Sequence, residues 1–290
     1  MTFQRIAVIY NPHSGRPRER QSEVDRFTAQ LRAAGRTVLI APTAHPGHAT
    51  GLAREAVATG CDLVVAHGGD GTMNEVLQAV AGTEATLGFW PGGTANVLAA
   101  ELKFPSRADD VVERILAGQV RRVTAGRAND RYFLLMAGIG LDAAVAASVD
   151  PLMKQRFGKA AFGLSAMKFV RNWHLPPFLV ELDRELMPAR FVVAGNAHSY
   201  GGGFQITPQA DLSEPCLDLC IFTQELRMDY LQIALAAVAG RHLRMAGVTY
   251  RKVRRVRILG DQVPVQLDGE VTGSLPLTLE AVPGSLKLLV

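Results

Sequence analysis

The chain of 290 residues is 48% hydrophobic and 20% charged with 28 glycines, the balance of a folded globular protein, which excludes disordered, collagen-like and disulfide-stapled classes. Thirty-one basic against 27 acidic residues leave a net charge of +4, too small to identify a polyanionic partner unless it is concentrated locally. At about 150 residues per domain the length gives two domains or one large α/β unit. No uncharged apolar run reaches the roughly 18–20 residues of a spanning helix, and the apolar run 6–10 is too short for a signal-peptide core, so the expected compartment is the cytoplasm.

The first third alternates strand-like and helix-like segments. Residues 6–10 read as a strand, the polar and periodic segment 19–34 as a helix, and 37–40 as the next strand. A helix over 48–59 then leads into 62–66, whose valines suit a buried parallel strand. Residues 73–80 read as a helix and 86–90 as a short strand. From about Thr124 the pattern changes to short apolar runs at 190–195, 217–223, 253–259, 263–267, 276–281 and 286–290, with helical spacing in 159–172 and 230–239. The expected domains are therefore 1–125, parallel α/β, and 126–290, mostly β. Cys61, Cys216 and Cys220 form no C-x-x-C pair and are expected to be reduced; no H-E-x-x-H occurs, so any metal is expected to be oxygen-bound.

Three turns follow predicted strands. Asn11, Pro12, His13, Ser14 and Gly15 follow the first, Gly68, Gly69, Asp70, Gly71 and Thr72 the third, and residues 91–96 the fourth. Glycine turns between a buried strand and a helix expose backbone N–H groups near the positive end of the helix dipole, which suits phosphate. Asp70 would repel a bare phosphate, so its presence fits a magnesium ion bridging carboxylate and phosphate oxygens. The alternative is that the glycines only make the turns and Asp70 caps its helix. The Walker pattern and G-x-S-x-G are absent, and a Rossmann-like G-x-G-x-x-A at Gly138, Gly140 and Ala143 lacks the β-α-β context it needs.

Together with Asn74 and Glu75 after the second turn, the stretch 137–142, Asn196 with 201–204, and Asp268-Gly269-Glu270, these turns cover nearly the whole chain in order. The pattern resembles the diacylglycerol kinase catalytic-domain superfamily, in particular the soluble bacterial lipid kinases related to sphingosine kinases. The resemblance implies an N-terminal α/β domain of the phosphofructokinase and NAD kinase type, a C-terminal β-sandwich, and an active site in the cleft between them. It implies that Asn11, Pro12, His13, Ser14, Gly15, Thr43, His67, Gly68, Gly69, Asp70, Gly71, Thr72, Met73, Thr94 and Asn96 line ATP, with Asp70 close to the phosphates or to Mg2+. It also implies that Glu270 acts as proton acceptor, with Asp268 beside it. On the residues alone, Asp268 and Glu270 also read as solvated acids of a plain turn.

The chain departs from the family at Val97 and Thr124, where relatives carry acids. A second magnesium, structural in relatives, would here take Glu214 as side-chain ligand and the carbonyls of Leu217 and Leu219, with Pro215 in place of a glycine. The expected partner is a lipid alcohol; oligomeric state is left open. Residues 241–260 hold Arg241, Arg244, Arg251, Lys252, Arg254, Arg255 and Arg257 and no acid. This patch reads either as a peripheral contact with the anionic inner face of the membrane or as a solvated edge strand. Nucleic acid is not expected, since no recognised binding module accompanies the charges. The stripe Phe162, Met167, Phe169 and Trp173 reads as core packing, with a lipid-lining role as the alternative.

Overall fold

The computed structural model describes residues 1–15, 17–93, 96–141, 143, 176–198, 205–224 and 227–290. The expected helix at 159–172, the aromatic stripe, Thr94, Asp142 and residues 201–204 lie outside the described residues. Two compact units are present, Met1–Val123 with Gly284–Val290, and Thr124–Pro283.

The first unit runs β1 (Arg5–Tyr10), α1 (Pro17–Ala33), β2 (Thr37–Pro42), α2 (His48–Ala58), β3 (Leu63–Gly68), α3 (Asp70–Val80), β4 (Thr86–Pro91), α4 (Val97–Glu101) and α5 (Ala108–Ala117). Its strands form a parallel sheet in the order β2-β1-β3-β4. All of β3 and β4 is buried, as expected of parallel strands covered on both faces. Ile6, Val8 and Tyr10 of β1 share a core with Val24, Phe27 and Leu31 of α1 and Val111, Val112 and Ile115 of α5. Helices α2 and α3 pack on each other and on β1 and β3; they contribute nothing to that core and cover the opposite face.

The second unit is built from β5 (Val120–Ala128), which leads out of the first, then β6 (Arg131–Phe133), β7 (Met136–Gly140), β8 (Phe178–Leu182), β9 (Glu185–Ala189), β10 (Phe191–Gly195), β11 (Leu217–Phe222), α6 (Arg227–Val238), β12 (Val248–Val253), β13 (Arg255–Leu259), β14 (Pro264–Leu267), β15 (Glu270–Ser274) and β16 (Leu277–Leu289). One antiparallel sheet has the order β12-β11-β10-β7-β14-β15. The other joins the first half of β16 to β13, β8 and β9. Ile139, Val192, Leu219 and Val265 of one sheet and Val180, Val256, Ile258 and Leu279 of the other lie in a single core. This is a β-sandwich. Gly138 and Gly140 sit in β7, antiparallel to β10, so the Rossmann-like triplet is not a dinucleotide turn.

Three boundaries differ from expectation. The run 253–259 is two strands, because β12 and β13 belong to different sheets; the basic patch is divided accordingly. The runs 276–281 and 286–290 are one strand, β16. Its end, expected in the second domain, belongs to the first unit: Lys287 and Leu288 pair in parallel with Thr86 and Leu87 of β4. The cause is an edge. Without that strand β4 would leave its ladder groups unpaired, and Leu286, Leu288 and Leu289 would lose their burial. Among the described residues, no helix is long and apolar enough to cross a membrane.

Candidate active site

β1, β3 and β4 are neighbours in the parallel sheet, so the three glycine turns at their carboxyl ends are neighbours too. In the first, Asn11 donates its N–H to His67 O (2.9 Å). Its Oδ1 accepts from His13 N (2.8 Å), and its carbonyl accepts from Ser14 Oγ (3.0 Å). Thr43, just beyond β2, donates its N–H to Tyr10 O (2.9 Å). The second and third turns are tied by Gly92 N and Gly93 N, which both donate to Gly68 O (2.7 and 3.1 Å). Asn96 closes the third, accepting from Gly93 N at 3.1 Å and donating to Gly93 O at 2.7 Å. The glycines are needed for close approach: a Cβ on Gly93 would stand 2.6 Å from Gly69 Cα, and one on Gly68 would stand 2.5 Å from Thr72 Oγ1.

Asp70 lies in the first turn of α3, after Gly69 as N-cap. Its carboxylate reaches the next helix, accepting from Val97 N (3.0 Å) and Leu98 N (3.4 Å) at the start of α4. It thereby joins the second turn to the third while staying half-buried. Glu75 similarly serves a different helix, accepting from Gly47 N (2.8 Å) and Ala49 N (2.9 Å) at the start of α2. Met73 is buried, so it offers the turn only its backbone. The first N–H groups of α3 have no partner within their helix, and with Asp70 beside them the donor set fits a magnesium-bound nucleotide phosphate.

A residue that the sequence reading passed over holds this arrangement from behind. Arg20 of α1 is buried and donates Nη2–H to Ser14 O (2.6 Å) and Gly92 O (3.0 Å), bracing the first turn against the third. Its Nη1 lies 2.7 Å from His67 Nε2. The other nitrogen of that ring, Nδ1, is 2.9 Å from Trp90 O. A carbonyl only accepts, so Nδ1 carries the proton and Nε2 receives from Arg20. His67 also stacks on Trp90, with ring centroids 3.6 Å apart. Its side chain is fully buried and serves the back of the turns. Burial, with Arg20 adding to it, pushes its pKa down to about 3, so the ring is neutral.

The paired acids belong to the second unit. Asp268 (φ +51°) and Gly269 (φ +86°) are the two central residues of the hairpin between β14 and β15, the left-handed pair that a type I′ turn requires. Asp268 is no solvated acid. Its oxygens accept from Leu134 N (2.8 Å), Leu135 N (2.8 Å) and Met136 N (3.0 Å), which fastens the hairpin to the bend between β6 and β7. Glu270, half-buried, begins β15.

The second expected metal set lies at the start of β11. Leu217 and Leu219 are buried in β11, opposite Val253 and Arg251 of β12. Glu214 is paired with the Lys252 ammonium. Thr124, also off the family pattern, is buried and donates Oγ1–H to Glu214 O (2.7 Å), and its carbonyl accepts from Asn196 Nδ2 (2.8 Å). In the basic stretch, Arg257 is paired with Glu181 at 2.8 Å.

Comparison with known proteins follows the same division. Residues 5–128 match the family profile described as the diacylglycerol kinase catalytic domain, and residues 136–290 match the YegS C-terminal NAD kinase beta sandwich-like domain. A diacylglycerol kinase of Bacillus subtilis is 29% identical over 282 residues, 94% of this chain and 92% of that protein. One of Mycobacterium tuberculosis is 31% identical over 251 residues, 82% of this chain and 80% of that one. The crystal structure of a diacylglycerol kinase from Bacillus anthracis superposes with a TM-score of 0.79 at 24% identity, covering 100% of this chain and 98% of that one, a likeness of fold. With both domain profiles in order and relatives matched over most of their length, this chain belongs to the diacylglycerol kinase family and is a kinase.

Proposed function

We propose that the protein transfers the γ-phosphoryl group of ATP to the hydroxyl of a lipid alcohol of the diacylglycerol type. The observation that carries this reading is the joining of three backbone turns at the carboxyl ends of adjacent parallel strands, with Asp70 bridging two of them. The names of the relatives support the acceptor class. In this reading Asn11 to Gly15, Thr43, His67 to Met73 through their backbone, Thr94 and Asn96 hold the nucleotide, and the N–H groups at the start of α3 face its phosphates. A magnesium ion arriving with the nucleotide would be held by Asp70 and would neutralise phosphate charge.

The lipid oxygen bonds to the γ-phosphorus while the bond from that phosphorus to the β–γ bridging oxygen breaks. ADP leaves with the bond electrons, and the hydroxyl proton passes to Glu270. Asp268 is a positioning residue, since its oxygens are taken up by three N–H groups. Glu270→Gln is therefore expected to lower kcat by at least about 10²-fold with an unchanged Tm. Asp268→Asn is expected to cost about 1.5–3 kcal/mol of stability through the charged hydrogen bonds it loses. Thermal unfolding run beside the kinetics separates the two roles; the reverse pattern would exchange them.

Incubation with labelled ATP, magnesium and mixed micelles carrying a panel of lipid alcohols, with NAD in parallel, tests the acceptor. Label is expected in the organic phase with a diacylglycerol. Label in NAD alone would replace this reading by that of a soluble-acceptor kinase. The basic stretch 241–257 supports contact with an anionic membrane surface; sedimentation with phosphatidylserine vesicles at low and high salt reads that contact directly.

A further inference from the structure

At the start of β11 the side-chain ligand atoms of Glu214, Cys216 and Asp218 lie within 4.8 Å of one another. This is the turn at which the family resemblance implies a structural magnesium. A hard divalent cation needs about six oxygen ligands, and four oxygens at this turn already accept hydrogen bonds from the protein. Asp218 is buried, and its Oδ2 accepts from the Tyr250 hydroxyl at 2.6 Å. Glu214 O and Leu212 O accept from Thr124 Oγ1 and N, both at 2.7 Å. Cys216 donates its S–H to Glu214 Oε2 at 3.4 Å, and sulfur is a poor ligand for magnesium.

The positive charge comes from the adjacent strand. Lys252 of β12 stands directly opposite Asp218 in the antiparallel register. Its ammonium donates to Glu214 Oε2 and lies 3.9 Å from Asp218 Oδ1. We infer that Lys252 is a tethered cation taking the place of a divalent ion at this turn, so that the sandwich holds its β11–β12 corner without metal. The mutual hydrogen bond also holds the Glu214 carboxyl below, and the Lys252 ammonium above, their ordinary values.

Thermal unfolding of the full chain without nucleotide, in EDTA and in millimolar Mg2+, tests this, together with tyrosine-sensitised Tb3+ emission as a probe of the turn. For the natural chain the Tm is expected to be the same in both solutions, and Glu214→Gln is expected to leave Tb3+ emission unchanged. Lys252→Met is expected to lower the Tm in EDTA by about 2–4 °C, to regain it in Mg2+, and to acquire Tb3+ emission that a further Glu214→Gln removes. Lys252→Gln repeats the comparison if Lys252→Met does not fold. A rise in the Tm of the natural chain with Mg2+ that Glu214→Gln abolishes would overturn the inference. So would the absence of any gain in Mg2+ or Tb3+ response when Lys252 is replaced.

Discussion

Asp70→Asn is expected to reduce kcat for phosphoryl transfer by about 10²–10³-fold, the usual cost of removing one preorganised electrostatic group from a reaction centre, while the fold survives. The structural role of Asp70 is modest by comparison. Its two hydrogen bonds to the start of α4, at 3.0 and 3.4 Å, are a cap, and asparagine keeps one oxygen able to accept. The lost charge there costs about 1 kcal/mol, or about 2–4 °C in Tm for a chain of this size. A rate loss of two to three orders of magnitude equals about 3–4 kcal/mol, well beyond what the cap accounts for. Measuring kcat across a magnesium titration, with Tm alongside, decides between the two roles. A variant turning over at the natural rate would leave Asp70 as a bridge between α3 and α4 and remove it from the chemistry.

The parallel half of the fold was legible because its strands are covered on both faces and so read as unbroken apolar runs, as in 62–66 and 86–90. Even there α5 went unseen, although Ala108, Val111, Val112 and Ile115, all buried, recur at three and four spacing. The end of β16 could not be assigned from sequence. A strand of 13 residues with Pro283 and Gly284 inside it reads as two, and only the empty edge of β4 explains where its last residues go. The corner at Arg254 was hidden for the opposite reason: alternation continues through residues 251–258 while the chain passes from one sheet to the other.

At the candidate site, sequence identified the turns by composition, since glycine, asparagine and proline leave few other readings. What it could not supply was the partner of each acid. Asp70, Glu75 and Asp268 each bond backbone N–H groups distant in sequence, and no local spacing encodes that. Glu214 likewise pairs with a lysine 38 positions away. Arg20 was overlooked because an arginine within the polar segment 19–34 looks like any solvated helix residue; its burial follows only once α1 is laid against the carboxyl ends of β1 and β4.

That burial makes Arg20→Met the other substitution of large effect. It removes the donor to Ser14 O, Gly92 O and His67 Nε2 together. Each buried acceptor left unsatisfied costs about 1–3 kcal/mol. Arg20 carries an opposing cost, since burial lowers its own pKa and its Nε has no hydrogen-bond partner, so a net loss of about 2–4 kcal/mol is expected. The first and third turns would separate where Gly15 and Gly92 meet, raising KM for ATP more than it lowers kcat. His67 provides an independent readout through pH. Its pKa falls from 6.5 to about 3 on folding, so between those values the unfolded chain binds the proton and the folded one does not. Stability from this group is complete above pH 6.5 and declines on acidification by about 1.4 kcal/mol per unit, until the folded ring itself titrates. His67→Gln, which can still donate to Trp90 O and accept from Arg20, is expected to flatten that slope between pH 6.5 and 4 while keeping the turns joined. An unchanged acid slope in this variant would show that the buried imidazole is not the group that links folding to pH.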